Sequence, residues 1–430
     1  MLKIPPMREK MTEYDIDRQP MIPANEGEAS CDMHVHSKGS HDIIPLKFTR
    51  IFGVRESYSS PEDIYATAKK RGRKFATITD HNSIAQSLYL TYLFPNDTFT
   101  GCEYAVKATE EGHIVDVLCY NIDMATHEKL MRMRENVYVG EFVDYLKQNK
   151  IINACAHLAE PVKQKIKITP ELLMSWIDLF DVIETLNGDA MRANDISNMC
   201  VDFRNRHKKP GERKIARIGG SDAHTLHTIG RAYTIAPNAR TKGEFLEALA
   251  NGEVKPAGEC GSYEVTKEYI LEGIEAYKRY EIGQMREKIK EEKEKWNYSK
   301  YLSAIPLSKW FAPQTIGFFK YANLNLKKVI GMAILPGLKP ILSRLIAANL
   351  KTKIEKITCE LEKGCIDHII KEEYADAYKD YEYVERLRAE RRANVKPEHF
   401  YIPDVKSRIM RFLQRKFGWA DTDYDKRDYD

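Results

Sequence analysis

The chain of 430 residues lacks the cysteine pattern of a disulfide framework or a zinc finger, because its eight cysteines include no Cys-x-x-Cys pair and no regular spacing. No run of about 18 uncharged apolar residues occurs, so the sequence predicts no transmembrane helix. The polar segment 1–28 has no apolar stretch typical of a secretory signal, and we therefore expect a cytoplasmic protein. Four cysteines lie in apolar strand-like runs, which indicates buried, reduced thiols: Cys31, Cys102, Cys119 and Cys155.

Acidic residues are missing from one long stretch, 295–354, although the chain as a whole carries 63 Asp and Glu against 67 Lys and Arg. The net charge of +4 is therefore unevenly distributed. Residues 261–430 hold 33 Lys and Arg against 27 Asp and Glu, and the remainder holds 34 against 36. The positive excess is local to the C-terminal part.

Histidines and acidic residues, by contrast, recur at the ends of strand-like runs. In Asp32-Met-His34-Val-His36, residues two apart on a strand point to the same face, so both imidazoles project side by side. Neutral imidazole is the commonest protein ligand for a transition metal, and a pair on one face supplies half a site. Further candidates follow later strand-like runs: His81 after Asp80, Glu103, His113, His157, and Asp222 with His224. This recurrence predicts one polynuclear metal centre.

From residue 31 to about 255, short apolar runs alternate with helical patterns. The predicted strands cover 75–79, 98–103, 113–120, 151–156, 181–185 and 216–220, and the predicted helices cover 61–70, 127–149, 170–179, 190–208 and 241–251. Ser60 and Pro61 are typical of a helix start, and Gly252 of a helix end. The alternation predicts an α/β fold with a parallel wound or barrel sheet, whose strand ends carry the candidate ligands.

These motifs resemble, in order, those of the PHP (polymerase and histidinol phosphatase) family over residues 30–258. The matching motifs are Asp32-Met-His34-Val-His36, Thr79-Asp80-His81, Gly101-Cys-Glu103 and Ser221-Asp222-Ala-His224. The resemblance implies a distorted (β/α)7 TIM-like barrel of PHP type. The segments 53–58 and 77–82 are similar to PHP modules associated with bacterial glycosyltransferases.

The resemblance also implies three divalent metal ions, of Mn, Zn or Fe, held by nine side chains. The first ion would take His34, His36, Glu103 and Asp222. The second would share Glu103 and add His113 and His157, and the third would take His41, His81 and His224. Asp42 is an alternative to His41. Pro161 is displaced from the His-Pro pair that the family usually has at His157.

The expected reaction is hydrolysis of a phosphomonoester or phosphodiester by metal-bound hydroxide, which requires no protein nucleophile. Asp222 and Glu103 would act in catalysis as metal ligands, and Arg231 is the candidate for gripping a phosphate, with Lys38 and Arg192 behind it. Asp32 and Asp80 either orient imidazoles or make ordinary strand-end hydrogen bonds. His227 lies close in sequence without an assigned role.

The predicted organisation is an N-terminal extension at 1–29, a phosphoesterase domain at 30–258, a basic helical region at 259–420 and an acidic tail at 421–430. A phosphorylated small molecule is the first expectation for the substrate. Aromatic residues among the lysines of 295–354 also suit a single-strand nuclease, or a region that tethers the protein to a membrane surface or a partner. A packed helical layer with solvated lysines is the remaining alternative. The sequence leaves the oligomeric state open.

Overall fold

The computed structural model describes residues 29–44, 53–159, 167–190, 193–291, 356–369 and 371–372. The chain divides into two compact units, 1–369 and 370–430, and nearly all described residues belong to the first. Arg192, Pro161, the acid-free stretch 295–354 and the tail 421–430 lie outside the described residues, as does most of the N-terminal extension.

The described strands form two sheets. They are β1 (Ala29–Asp32), β2 (Phe75–Ala76), β3 (Gly101–Lys107), β4 (Ile114–Tyr120), β5 (Ile152–Cys155), β6 (Val182–Asn187), β7 (Ala216–Gly220), β8 (Ala232–Ala236) and β9 (Lys255–Gly258). The first sheet has the order β2-β1-β8-β9, and the second has the order β3-β4-β5-β6-β7. The mixed α/β class is thus as the sequence predicts.

The pairing of the strands departs from the all-parallel expectation. Only β1–β2, β5–β6 and β6–β7 are parallel, whereas β1–β8, β8–β9, β3–β4 and β4–β5 are antiparallel. Among the described residues the ladders form two sheets, so the predicted closed seven-stranded barrel is not observed. The sheets approach each other at two seams. At one, the Thr234 hydroxyl bonds to the backbone of Gly219. At the other, isolated bridges join Ala76 to Thr98 and His81 to Glu103.

Helices connect and cover the strands. They are α1 (Pro61–Lys70), α2 (Ala85–Leu93), α3 (Met124–Asn136), α4 (Val139–Gln148), α5 (Pro170–Ile177), α6 (Ala193–His207), α7 (Lys242–Asn251), α8 (Tyr263–Glu291) and α9, over 356–369. Ser60 caps α1 and Pro61 occupies its first turn, as predicted. A capping box at Thr241 begins α7, and Gly252 ends it with a left-handed φ of 72°. None of the described helices is both long enough and apolar enough to cross a bilayer.

One predicted helix, 127–149, is instead two. Val137 has extended backbone angles (φ −126°, ψ 162°) and ends α3, and Tyr138 is extended before α4. The break lets each helix turn its own apolar side inward: Leu130 is buried from α3, and Phe142 from α4. Packing onto the sheet therefore overrides continuous helix propensity at this point.

Two apolar layers hold the first unit together. The inner one contains Met33, Leu118, Tyr120, Ile218 and Phe245. The outer one lies between the second sheet and its helices and includes Phe142 from α4, Trp176 from α5, Phe203 from α6, and Leu361 and Cys365 from α9. Because β4 and β5 contribute to both layers on alternate residues, the two faces of this sheet are buried there.

Candidate metal centre

The four sequence motifs meet in one buried cluster. His34 and His36 follow β1, Glu103 lies in β3, His157 follows β5 and Asp222 follows β7. The Nε2 atom of His34 is 3.3 Å from Glu103 Oε2 and 3.4 Å from Asp222 Oδ1, and that of His36 is 3.3 and 3.1 Å from the same two atoms. His157 Nε2 is 3.0 Å from Glu103 Oε1. Glu103 therefore sits between His157 and the His34–His36 pair, as a shared carboxylate must.

His81 and His224 extend the cluster toward the surface. His81 Nδ1 is 2.8 Å from Glu103 Oε2. On the other side, Glu56 Oε2 is 3.5 Å from His81 Nε2 and 3.3 Å from His224 Nε2. The rings of His36 and His224 stack with centroids 4.4 Å apart. Four triads have donor atoms within 4.8 Å of one another: His36–His81–His224, His34–Glu103–His157, His34–His36–Asp222 and Asp42–Glu56–His81.

Hydrogen bonds on the outer side of the rings fix the tautomers of two histidines. His34 Nδ1 lies 3.1 and 3.2 Å from the two oxygens of Glu184, which can only accept, so Nδ1 carries the proton. His224 Nδ1 lies 2.8 Å from the carbonyl oxygen of Asp222 and donates to it. In the neutral form, each ring then turns the Nε2 lone pair toward the cluster.

A hydroxyl relay does the same for His36. The Ser40 hydroxyl donates to Asp80 and therefore accepts at 3.0 Å from His36 Nδ1. The Nε2 atoms of His34 and His36 are 3.1 Å apart. Two lone pairs at that distance repel unless they share a cation, and bonds of 2.0–2.1 Å to one ion place two nitrogens roughly 2.9–3.4 Å apart. The donor geometry thus fits a divalent metal.

The charge balance of the cluster fits a metal as well. Burial lowers the pKa of His36 well below its ordinary value, and the neighbouring His81 and His224 act in the same direction. Burial would also lower the pKa of His34. The carboxylates of Asp222, Glu184 and Glu103 outweigh this effect and raise the His34 pKa well above its ordinary value. The cluster therefore attracts positive charge, which a metal ion would supply.

Glu184 and Asp80 hold the ligands from behind. Besides His34, the Glu184 carboxylate accepts hydrogen bonds from the backbone N–H of His157 and from the Asn187 side chain, both at 2.9 Å. Asp80 accepts from the Ser37 N–H and hydroxyl, both at 2.6 Å. Within the described part of the chain, Asp80 is hydrogen-bonded to an imidazole through Ser40.

Asp32 makes strand-end hydrogen bonds, the second of the two roles that the sequence left open for it. Its carboxylate accepts from the backbone N–H groups of His34, Ser221 and Gly230, at 3.3, 2.8 and 2.6 Å. These are strand-end hydrogen bonds that fix the loops. Burial raises the Asp32 pKa to about 6, against the opposing effect of those bonds.

Two of the clustered residues have strained backbones. His157 has a φ of 20° and Asp222 a φ of 50°, values that favour glycine. Each lies directly beyond a strand, where the chain turns sharply so that the side chain points into the cluster. Such conformations cost of order 1–3 kcal/mol each and concentrate at functional sites.

The structure does not bring His113 or His41 into the cluster. His113 Nδ1 accepts from Thr109 Oγ1 at 2.8 Å, and Nε2 lies 3.2 Å from the carbonyl oxygen of Lys167, so both ring nitrogens are engaged elsewhere. His41 is exposed and belongs to none of the donor triads of the described residues. Its neighbour Asp42, the predicted alternative, lies 3.7 Å from His81 Nε2.

Of the predicted phosphate-gripping residues, Arg231 and Lys38 lie in the described part of the chain. Arg231 Nη2 pairs with Glu259 at 3.0 Å. Lys38 is exposed, and its backbone N–H bonds to Ser59. His227 Nε2 is 3.3 Å from Glu268 on α8.

Two acidic residues beside the clustered histidines, Glu56 and Glu184, and one on a neighbouring strand, Asp116, were not anticipated. Glu56 lies in the loop before α1, where only spatial folding brings it to His224. Glu184 is a lone acid within the apolar strand β6, a signal that could have been noticed. Asp116 lies in β4 opposite Ala105, beside the Glu103–Leu118 pair, and so shares the face of Glu103.

Residues 211–254 match the family model described as PHP-associated. No curated protein matches the chain significantly.

Three solved structures share 14–15% identity with the chain. A protein assigned as a metal-dependent phosphoesterase from Bifidobacterium adolescentis is 14% identical, covers 52% of this chain and 96% of its own, and has a TM-score of 0.33. PsfC from Pseudomonas syringae is 14% identical, covers 57% of this chain and 96% of its own, and has a TM-score of 0.38. An amidohydrolase from Chromobacterium violaceum, solved with sulfate and no metal, is 15% identical, covers 51% of this chain and 96% of its own, and has a TM-score of 0.32.

The matched segment contains Ser221, Asp222 and His224, whose motif meets the other three in the cluster described above. The family match covers about a tenth of the chain and includes the fourth of the motifs through which the sequence resembles the PHP family.

Proposed function

We propose that the protein is a metal-dependent phosphoesterase whose active site is the buried cluster. One observation carries the proposal: the hydrogen bonds of His34, His36 and His224 turn three Nε2 lone pairs toward the cluster that contains Glu103 and Asp222. Buried carboxylates and neutral imidazoles facing one another are costly without a cation, and a divalent ion removes that cost.

Three ion positions account for the donors. The first has His34, His36, Asp222 and Glu103, as predicted from the sequence. For the second, we propose Glu103, His157 and Asp116, since Asp116 shares the face of Glu103 and His113 is engaged elsewhere. For the third, we propose His81, His224 and Glu56, with Asp42 at its edge. A mixed nitrogen and oxygen donor set suits Mn, Zn or Fe.

The side chains of this chain would position the reaction. When bound, divalent ions lower the pKa of a coordinated water and offset negative charge on phosphoryl oxygens. Glu184 and the Ser40–Asp80 pair hold the imidazoles in one orientation. Glu103 would serve as a ligand at both the first and the second ion position. Because the cluster is buried except on the side of His81 and Glu56, the substrate would approach from that side.

The names of the structural neighbours suggest phosphoester hydrolysis and, as a second candidate, amide hydrolysis. Both reactions use the same kind of metal-activated water, so the donor set does not separate them. The nuclease and surface-tether alternatives depend on 295–354 and stay predictions, as do the cytoplasmic location, the glycosyltransferase association and the domain boundaries.

The test is metal analysis of the purified protein together with a hydrolysis screen. We expect divalent metal to copurify, and phosphate release from at least one class among nucleotides, sugar phosphates and oligonucleotides. Asp222→Ala should lower the rate by several powers of ten, because the ions both activate water and neutralise charge. Asp202→Ala, which removes an exposed carboxylate paired with Arg217, is the matched control and should keep the rate.

A folded, metal-free Asp222→Ala protein that releases phosphate at the wild-type rate would refute the proposal. Cleavage of amides without phosphate release would establish the second candidate. Preference for oligonucleotides would favour the nuclease.

A further inference from the structure

A cavity of about 330 Å³ opens beside the outer end of the cluster. His224 and Glu56 line it and also belong to the proposed third ion position. Its opposite wall is α8, through Glu272, Ala276 and Tyr280. The volume is at the lower end of the range for small-molecule sites, so it admits one compact group.

Aromatic rings form one side of the cavity. Tyr58 and Tyr280 both line it, with ring centroids 5.3 Å apart and planes tilted by 50°. The Tyr58 hydroxyl accepts a hydrogen bond from the Arg55 N–H at 2.9 Å, and the Arg55 guanidinium lies 5.2 Å from the Tyr280 ring centre. These contacts fix the ring of Tyr58 beside Glu56 and connect the loop before α1 to α8.

The charged residues of the remaining lining are mostly acidic. Glu56, Asp63 and Glu272 contribute three carboxylates against a single guanidinium from Arg279. A groove that follows a nucleic-acid backbone needs the opposite balance, with basic side chains beside its aromatic ones. A leaving group with further phosphates would meet three like charges. A cationic one would gain little, because Arg279 and the Arg55 guanidinium offset the charges of Asp63 and Glu272, and Glu56 is assigned to the proposed third ion. Hydroxyl groups, in contrast, can donate to carboxylates and accept from arginine.

We infer that this cavity receives the alcohol part of the substrate, and that this part is a single uncharged polyol of sugar size. Its hydroxyls would bond to Glu272, Asp63 and Arg279, and its C–H face would pack on the tyrosine rings. The phosphate would then lie at the cluster beyond His224. This inference rests on the proposed phosphoesterase function and adds the substrate class.

The test compares two substrates on the metal-loaded full-length protein. A hexose phosphate fills the cavity, whereas methyl phosphate has too small an alcohol to use it. We expect kcat/KM for the hexose phosphate to exceed that for methyl phosphate at least a hundredfold. Ala276→Trp, which inserts a large side chain from α8 into the cavity, should reduce this ratio at least tenfold. Lys278→Trp is the control, because Lys278 is on the same helix and does not line the cavity.

The outcomes separate the two proposals. If methyl phosphate is hydrolysed and the hexose phosphate is no better, the phosphoesterase function stands and the polyol cavity is refuted. An equal ratio in wild type and Ala276→Trp, with both proteins active, also refutes it. A phosphorylated amino alcohol or an oligonucleotide preferred over the hexose phosphate overturns the substrate class. Hydrolysis of none of these substrates, together with no phosphate release from nucleotides, refutes both proposals.

Discussion

At the scale of single residues, Glu184 connects three parts of the site through one buried carboxylate. It accepts from the imidazole of His34, from the backbone of His157 and from the Asn187 side chain, and the first two are proposed ligands that follow different strands. Space for it depends on Gly220, where a Cβ atom would lie 2.6 Å from Glu184 Oε1 and 2.4 Å from the His34 Cβ. Glycine at position 220 of β7 therefore leaves room for the Glu184 carboxylate of β6.

Glu184→Gln should weaken metal binding by about 10- to 100-fold, because the amide is a poorer partner for the His34 ring and disturbs its orientation. Titration of metal-free protein with Zn²⁺ or Mn²⁺ in a calorimeter measures the effect. Glu212→Gln, which alters an exposed carboxylate on a surface turn, is the control. Unchanged metal affinity in a folded Glu184→Gln protein would show that His34 is held without it.

Asp116 and His113 give a second residue-scale prediction. We expect Asp116→Asn to lower the number of bound divalent ions per chain, because it removes a carboxylate from the face of Glu103. His113→Asn should leave that number unchanged, since both ring nitrogens of His113 bond to Thr109 and Lys167. Metal content by mass spectrometry of dialysed proteins is the measurement. The opposite pattern would restore the assignment expected from the sequence.

At the scale of elements, the sequence predicts best where the signals are local. Ser60 with Pro61, and Thr241 with Gly252, set the ends of α1 and α7 through contacts within one turn. Strand direction was not accessible in the same way. The loop of the β3–β4 hairpin contains Gly112, which has a φ of 100°. The alternation of strand and helix patterns in the sequence does not show that these two strands form a hairpin and run antiparallel.

The site shows the same division between local and distant information. The pair His34–His36 is predictable because strand geometry alone aligns the two rings. The position of Glu56 beside His224 is not, because it depends on how a loop before α1 meets a loop after β7. The surroundings of His113 are not predictable from the sequence either, because this residue lies just before β4 and is not part of that strand.

The helix α9 makes the element-scale prediction. Its buried residues follow helical spacing, and Leu361 is 3% exposed within the outer apolar layer. Leu361→Ala should lower the free energy of unfolding by about 2–5 kcal/mol, as expected for a truncation in a packed core. Lys363→Ala, on the exposed side of the same helix, should change it by less than about 0.5 kcal/mol. Urea denaturation of both variants is the measurement, and equal midpoints would mean that α9 is not part of the core.

At the scale of the whole molecule, the predicted accessory region does not begin where the compact unit ends. Helices α8 and α9 lie within the first unit, and Ile274 and Tyr277 of α8 are fully buried. The predicted boundary at 258 stays a prediction, and α8 and α9 belong to the same compact unit as the strands before it. A shortened chain that ends near 260 would lose these contacts, so tests of the basic stretch need the full chain.

The acid-free stretch 295–354 predicts binding to anionic membrane surfaces, with each lysine near the surface adding about 1 kcal/mol at low salt. Lys327→Gln combined with Lys328→Gln should weaken binding to phosphatidylserine vesicles by about 2 kcal/mol, or roughly 30-fold. Co-sedimentation at several salt concentrations measures it. The exposed pair Lys208→Gln and Lys209→Gln is the control. No binding to anionic vesicles, or equal binding to neutral ones, would favour a packed layer.

The position of α9 in the outer apolar layer has a consequence for synthesis of the chain. Leu361, Cys365 and Ile369 complete a layer whose other members lie between 84 and 215. Residue 369 is translated more than a hundred positions after Gly258 ends the last described strand. At about 5–20 residues per second, a ribosome needs roughly 5 to 20 s for that interval. During this time the emerging sheet and its helices present an uncovered apolar groove, the kind of surface that chaperones bind.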